Sequence, residues 1–127
     1  MASLKNIEMR ILIVEDNAIQ ALVLETQLNK IGYKKTLKAL NADKAKESVT
    51  TFDPDLMLVD INLGDGDSGI DFVNQTNGSR KRHVIFISGN SDEKHKTKAK
   101  ESGSAGFLVK PIRFDDLKNL ICDLPVN

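Results

Sequence analysis

The chain is short of three things, and each shortage removes a class of function. It has one cysteine, Cys122, in 127 residues, so no intrachain disulfide can staple it and the composition fits a reducing compartment. It has no net charge, because 18 Lys and Arg offset 18 Asp and Glu. A balanced chain projects no global field toward nucleic acid or a membrane surface. It also has no long apolar run. Nothing approaches the roughly 20 consecutive apolar residues that a spanning helix needs, and Met1 to Arg10 lacks the apolar centre of a signal peptide. The expectation is a soluble, cytoplasmic protein with neither direct nucleic-acid binding nor membrane insertion. One domain is expected over residues 1–127, with its core at about 9–124, long enough to bury an apolar interior unaided.

What is present is organised around Leu56-Met57-Leu58-Val59-Asp60-Ile61-Asn62. Unbroken apolar residues read as a strand buried on both faces, the signature of a central parallel strand. A carboxylate at its C-terminal end is costly to bury unpaired. Asp60 therefore belongs in a crevice or beside a cation, and in open α/β sheets ligands bind in the crevice at the strand C-termini.

The same grammar recurs along the chain. Ile11-Leu12-Ile13-Val14 stops at Glu15 and Asp16. After it, Ile19, Leu22, Val23, Leu28 and Ile31, with Ala18 and Ala21, mark one face of a helix over about 17–31, ended by Gly32. Residues 34–40 read as an outer strand, and Asn41 caps a helix with Ala42, Ala45 and Val49 inward. Phe52-Asp53-Pro54 closes that helix. After the central strand, Gly64-Asp65-Gly66-Asp67-Ser68-Gly69 is a loop, and Ile70, Phe72 and Val73 open a third helix. Val84-Ile85-Phe86-Ile87 ends at Ser88-Gly89-Asn90, where Ser91 caps a polar helix to about Ser102. Phe107-Leu108-Val109 ends at Lys110-Pro111, and Asp115 to Leu124 is a last amphipathic helix. Strand followed by helix, repeated five times, predicts an α/β fold with a parallel sheet covered on both faces.

Parallel strands bring their C-terminal ends to one edge, so Glu15, Asp16, Asp60, Ser88 and Lys110 should converge. Three crowded carboxylates repel and call for a divalent cation. Oxygen-only ligands select a hard ion, and few carboxylates plus water and phosphate suit Mg²⁺ better than Ca²⁺. A lysine ammonium and a serine hydroxyl can each hold a phosphoryl oxygen. An aspartate can itself be the nucleophile in phosphoryl transfer, forming an aspartyl phosphate.

These residues carry a resemblance. Leu12-Ile13-Val14-Glu15-Asp16-Asn17, Asp60-Ile61-Asn62-Leu63, Ile87-Ser88-Gly89 and Phe107-Leu108-Val109-Lys110-Pro111 make the chain, from about Met9 to Leu124, resemble the receiver domains of bacterial response regulators. The resemblance implies a doubly wound, flavodoxin-like (βα)5 fold with strand order 2-1-3-4-5. It implies that Asp60 accepts a phosphoryl group from a histidine kinase or phosphotransfer protein. Glu15, Asp16 and Asp60 would hold Mg²⁺ (with Mn²⁺ as a substitute), joined by the backbone carbonyl of Asn62. Ser88 would bond the phosphoryl group, Lys110 would pair with Asp60 and then with the phosphate, and the bond before Pro111 would be cis. Ser88 and Phe107 would form the switch. Asn62 and Asn90 would influence how long the phosphate survives. The fourth helix, fifth strand and fifth helix would then present a face to a downstream target or to a second copy. The chain would catalyse only its own phosphorylation and dephosphorylation. Phe107 stands where tyrosine is frequent, which removes a phenolic hydroxyl, and the loop of residues 64–69 has more Gly and Asp than the usual proline-containing version.

Plainer readings exist for single residues. Glu15 and Asp16 favour a helix start through the macrodipole, Ser88 could be a helix-entry cap, and the run from Lys94 to Lys100 is a solvated helix face unless an acidic partner covers it. Two whole-chain alternatives remain. A phosphohydrolase with an aspartate nucleophile, of the haloacid-dehalogenase type, wants a second acid two residues on, where this chain has Asn62. A phosphorylation-independent interaction module on the same fold tends to have lost one of the acids or the lysine, and this chain keeps them all.

Overall fold

A computed structural model of the chain describes residues 7–64, 68–76, 82–89, 97, 98, 100, 101 and 103–124. Its strands are β1 (Ile11–Val14), β2 (Thr36–Ala39), β3 (Leu56–Asp60), β4 (His83–Ser88) and β5 (Gly106–Val109). They form one sheet in the order β2-β1-β3-β4-β5, and every neighbouring pair is parallel. The helices are α1 (Ala18–Ile31), α2 (Ala42–Phe52), α3 (Gly69–Thr76) and a C-terminal helix (Phe114–Cys122). Thr97, Lys98, Lys100 and Glu101 are also helical, inside the polar helix expected there. Its proposed cap Ser91 and the basic residues Lys94 and Lys96 lie outside the described residues, as do Asp65 to Asp67 and Asn90.

The unbroken apolar runs are explained by the two faces they serve. Ile11, Ile13, Leu56, Leu58, Ile85 and Ile87 join one buried cluster with residues of α1 and the C-terminal helix. Their alternates Leu12, Val14, Met57, Val59, Val84 and Phe86 join a second cluster with α2 and α3. Side chains alternate across a strand, so a strand covered on both sides has no position left for a polar residue until it ends. Strand order turns back at β1, whose neighbours are β2 and β3. The crevice between the C-terminal ends of β1 and β3 is therefore the switch point where such sheets bind ligands.

Helix α1 is bounded as its sequence suggests. The Asn17 side chain accepts a hydrogen bond from the Gln20 backbone N–H at 3.0 Å. At the other end Gly32 takes a φ of 126° and donates its N–H back to Asn29 and Leu28. Its inward face matches the expected one only in part: Ala21 and Leu28 are buried and Ile31 packs against the core. Ala21, Leu24 and Leu28 are the buried residues, whereas Ile19, Leu22 and Val23 are 75%, 53% and 51% exposed. The helix carries apolar residues on two sides, so the expected face mixes them: it adds Ile19, Leu22 and Val23 and misses Leu24. At the sheet's opposite edge the Arg10 backbone N–H donates to Asp55 Oδ2 at 2.8 Å, and Arg82 pairs with Asp53 at 2.8 Å. Those contacts tie the starts of β1, β3 and β4 together, away from the crevice.

Candidate functional site

The ends of β1, β3 and β5 deliver the polar residues of the crevice. Glu15 continues the β1 ladder, its N–H donating to the Ala39 carbonyl at 3.1 Å, and is only 1% exposed. Asp60 is the last residue of β3, paired with Ile87, and is 4% exposed. Asp16, just past β1, is exposed. The Lys110 N–H donates to the Ser88 carbonyl at 2.8 Å, which carries the β4–β5 pairing one residue beyond β5 and fixes where the lysine stem starts. The peptide bond from Lys110 to Pro111 is cis.

Lys110 is the hub. Its Nζ donates a hydrogen bond to Asp60 Oδ2 at 2.8 Å and lies 2.8 Å from Glu15 Oε1. The second contact is an ion pair without hydrogen-bond geometry, so Glu15 Oε1 remains a buried oxygen with no hydrogen-bond donor. Glu15 Oε2 accepts from the Asn17 backbone N–H at 3.1 Å. Asp60 Oδ1 accepts from the Asn62 N–H at 2.9 Å, and Asn62 Oδ1 in turn accepts from the Gly64 N–H at 3.1 Å.

The electrostatics follow from this packing. Burial pushes the Glu15 carboxyl up to about 7, against the pull of Lys110 and the Asn17 N–H, with the Asp60 charge and Asp16 adding to the rise. Burial alone would lower the Lys110 ammonium. The hydrogen bond to Asp60 and the contact with Glu15 outweigh it and raise its pKa, so the lysine is charged at neutral pH.

Glu15, Asp16 and Asp60 each offer a carboxylate oxygen, all within 4.8 Å of one another. One of the three donors belongs to the residue whose Oε1 is buried without a hydrogen bond. An all-oxygen set of three carboxylates, gathered beside a single lysine, fits a hard divalent cation such as Mg²⁺. The polar cleft around them has a volume of about 330 Å³ and is also lined by Asn17, Gln20, Asn62, Gly64, Gly89 and Lys110.

Glu15, Asp16, Asp60, Asn62 and Lys110, singled out in the sequence, thus share one cleft. Ser88 is buried at the end of β4. Phe107 lies opposite Phe86 on β5 and packs against the cluster on the α2 and α3 side, outside the cleft. Three further residues shape the site. Asn17 anchors Glu15, and a strand followed by an acid pair and then Asn is a legible capping signal. Gly64 has a φ of 76°, and a Cβ there would come within 3.0 Å of Asp16 Oδ2. Gly69 is buried against β3, where a Cβ would fall on the Asp60 backbone carbonyl and within 2.7 Å of Val59 Cγ1. Nothing in the sequence separates Gly69 from the other loop glycines.

Comparison with known proteins agrees with this fold and shows its family. Residues 11–122 match the family described as the response regulator receiver domain. The transcriptional regulatory protein PdtaR of Mycobacterium tuberculosis is 29% identical over 108 residues, 85% of this chain and 52% of that protein. The uncharacterized transcriptional regulatory protein YvcP of Bacillus subtilis is 36% identical over 107 residues, 84% of this chain and 44% of that protein. The chain spans about half the length of these relatives. Among solved structures, the N-terminal domain of a response regulator/sensory box/GGDEF three-domain protein from Carboxydothermus hydrogenoformans superposes with a TM-score of 0.79 at 30% identity, covering 88% of this chain and 90% of that one.

Proposed function

The chain belongs to the response-regulator receiver-domain family, and from that premise we propose that Asp60 accepts a phosphoryl group and so makes the chain a phosphorylation-controlled signalling switch. The observation that carries this reading is the bridge from Lys110 to two buried carboxylates, 2.8 Å from Asp60 and 2.8 Å from Glu15. A structural ion pair needs one partner. A lysine holding two acids at the crevice of an α/β sheet is set to follow negative charge as it moves from carboxylate to phosphate.

The donor is a phosphohistidine on a histidine kinase or a phosphotransfer protein. An oxygen of the Asp60 carboxylate attacks phosphorus, the bond to the donor nitrogen breaks, and an aspartyl phosphate results. Lys110, kept charged by its two acids, moves its hydrogen bond onto a phosphoryl oxygen. The Ser88 hydroxyl donates to another. Glu15, Asp16, Asp60 and the backbone carbonyl of Asn62 would hold Mg²⁺, which when bound neutralises the crowded carboxylates and the charge on the transferring group. Asn62, tied to Asp60 and Gly64, and Asn90 set how long the phosphate survives hydrolysis.

The new charge at Asp60 draws Ser88 inward, and Phe107 follows. That reshapes the face made by the polar helix around residues 97–101, β5 and the C-terminal helix, where a target protein or a second copy binds. Val109, 38% exposed, is an apolar contact available on that face.

The test is intact-protein mass spectrometry after incubation with acetyl phosphate, with and without Mg²⁺, on wild type and on Asp60→Asn. One phosphoryl adduct, present only with Mg²⁺ and only on wild type, supports the reading. No adduct under any condition turns it toward a phosphorylation-independent interaction module.

A further inference from the structure

A second cavity, of about 390 Å³, lies beside the polar cleft, and Glu15, Gln20, Gly89 and Lys110 line both. The two cavities therefore adjoin along these four residues. Beyond the shared residues the lining of the second changes to carbon. Val23 and Leu24 of α1 form one wall, and Pro111 and Ile112, following β5, form the other. Gln20, then Val23 and Leu24, then Gln27 succeed one another a turn apart along α1, so the groove runs away from Asp60 along the helix. Gln27 lines it too, and its Oε1 is buried without a hydrogen-bond partner.

We propose that this groove is a leaving-group subsite, which lets the chain use small acyl phosphates with an apolar acyl chain as phosphoryl donors in preference to short ones. The inference rests on Asp60 being the phosphoacceptor. A donor placed with its phosphoryl group among Asp60, Lys110 and Ser88 has its leaving group at the mouth of the groove, because Lys110 and Glu15 border both spaces. Attack by the Asp60 carboxylate forms the new P–O bond as the bond from phosphorus to the acyl oxygen breaks. The acyl group departs as a carboxylate with the electron pair, so no proton or co-reactant is required. Its alkyl chain lies between Val23 and Leu24 on one side and Pro111 and Ile112 on the other. An acetyl group leaves that carbon surface wet. Each methylene buried adds up to about fourfold to the association, and an open groove captures part of that.

The experiment compares rates of adduct formation on Asp60 with acetyl, butyryl and hexanoyl phosphate, by mass spectrometry in saturating Mg²⁺. The expected result is a rise of at least about tenfold in second-order rate constant from acetyl to hexanoyl. The hexanoyl-to-acetyl ratio should collapse in Val23→Asp, which puts a charge on one wall. It should increase in Gln27→Leu, which removes the orphaned oxygen and extends the apolar wall. Circular dichroism of both variants confirms that they fold. Equal rates for the three donors overturn the subsite while leaving Asp60 phosphorylation intact, as does a ratio unmoved by Val23→Asp. No adduct with any donor instead overturns the reading on which the subsite rests.

Discussion

Lys110 and Asp60 are fifty residues apart in sequence and 2.8 Å apart in space, and the Asp60 carboxylate that receives this hydrogen bond sits at the end of a strand buried along its whole length. The same ammonium contacts Glu15 at the end of the neighbouring strand. One flexible side chain thus closes the β1–β3 crevice by holding both of its acids.

Removing that cation leaves two buried carboxylates facing each other. Lys110→Met is expected to lower unfolding stability at neutral pH by about 2–4 kcal/mol in urea denaturation, as for a buried pair that loses one partner. Adding Asp60→Asn removes one of the stranded charges and should restore at least about 1 kcal/mol in a double-mutant cycle. Additive single effects would mean that Lys110 does not hold the two acids together.

Tyr33 gives a pH signature that is easy to isolate, since it is the only tyrosine and the chain has no tryptophan. It is 2% exposed, and burial raises its phenol above the ordinary 10.0, helped by the nearby Cys122. A raised pKa means that folding favours the neutral phenol. Its contribution to stability is complete below pH 10.0 and is lost as pH climbs through the raised value. Tyrosinate absorbance should therefore titrate late in the folded protein and at the ordinary value in urea. Coincident curves would show that the ring is not buried.

Gly69 is required by space. A side chain there meets the Asp60 carbonyl and Val59 Cγ1, whereas a Cβ at Gly89 meets nothing within 4 Å. Gly69→Ala should cost about 1–3 kcal/mol through overpacking and should also slow adduct formation by displacing the end of β3. Gly89→Ala serves as the comparison, and thermal melts of the two variants separate packing from general loop tolerance. Equal melting temperatures would contradict the assigned contact.

The contrast between those glycines shows what was legible in the sequence. Ile11 to Val14 and Leu56 to Val59 announced a two-sided sheet because burial on both faces leaves an unbroken apolar run, a one-dimensional signal. The strand-end acids were legible for the same reason, since topology alone gathers the C-terminal ends of parallel strands. Helix α1 was legible only in part: Ala21, Leu28 and Ile31 face inward as expected, but Ile19, Leu22 and Val23 could not be told from Leu24. Only packing shows which residues face the sheet, and of the exposed ones Val23 borders the groove. The pairing of Lys110 with Glu15 as well as Asp60, and the fit of Gly69 against β3, depend on distances that no spacing encodes.

The acidic group supplies the last prediction. A ligand that binds only the folded state stabilises it by RT ln(1 + [L]/Kd), about 1.4 kcal/mol at tenfold excess over Kd, a rise of a few degrees in Tm for a domain of this size. Mg²⁺ should raise Tm in a saturable way because it relieves repulsion among Glu15, Asp16 and Asp60, whose oxygens lie within 4.8 Å of one another. Asp16 is exposed, so Asp16→Asn should fold normally and yet lose most of that rise. Scanning calorimetry across a Mg²⁺ series, with an equal ionic strength of Na⁺ as control, separates site binding from general screening. A shift matched by Na⁺, or retained in full by Asp16→Asn, would show that the three carboxylates do not act together on one ion.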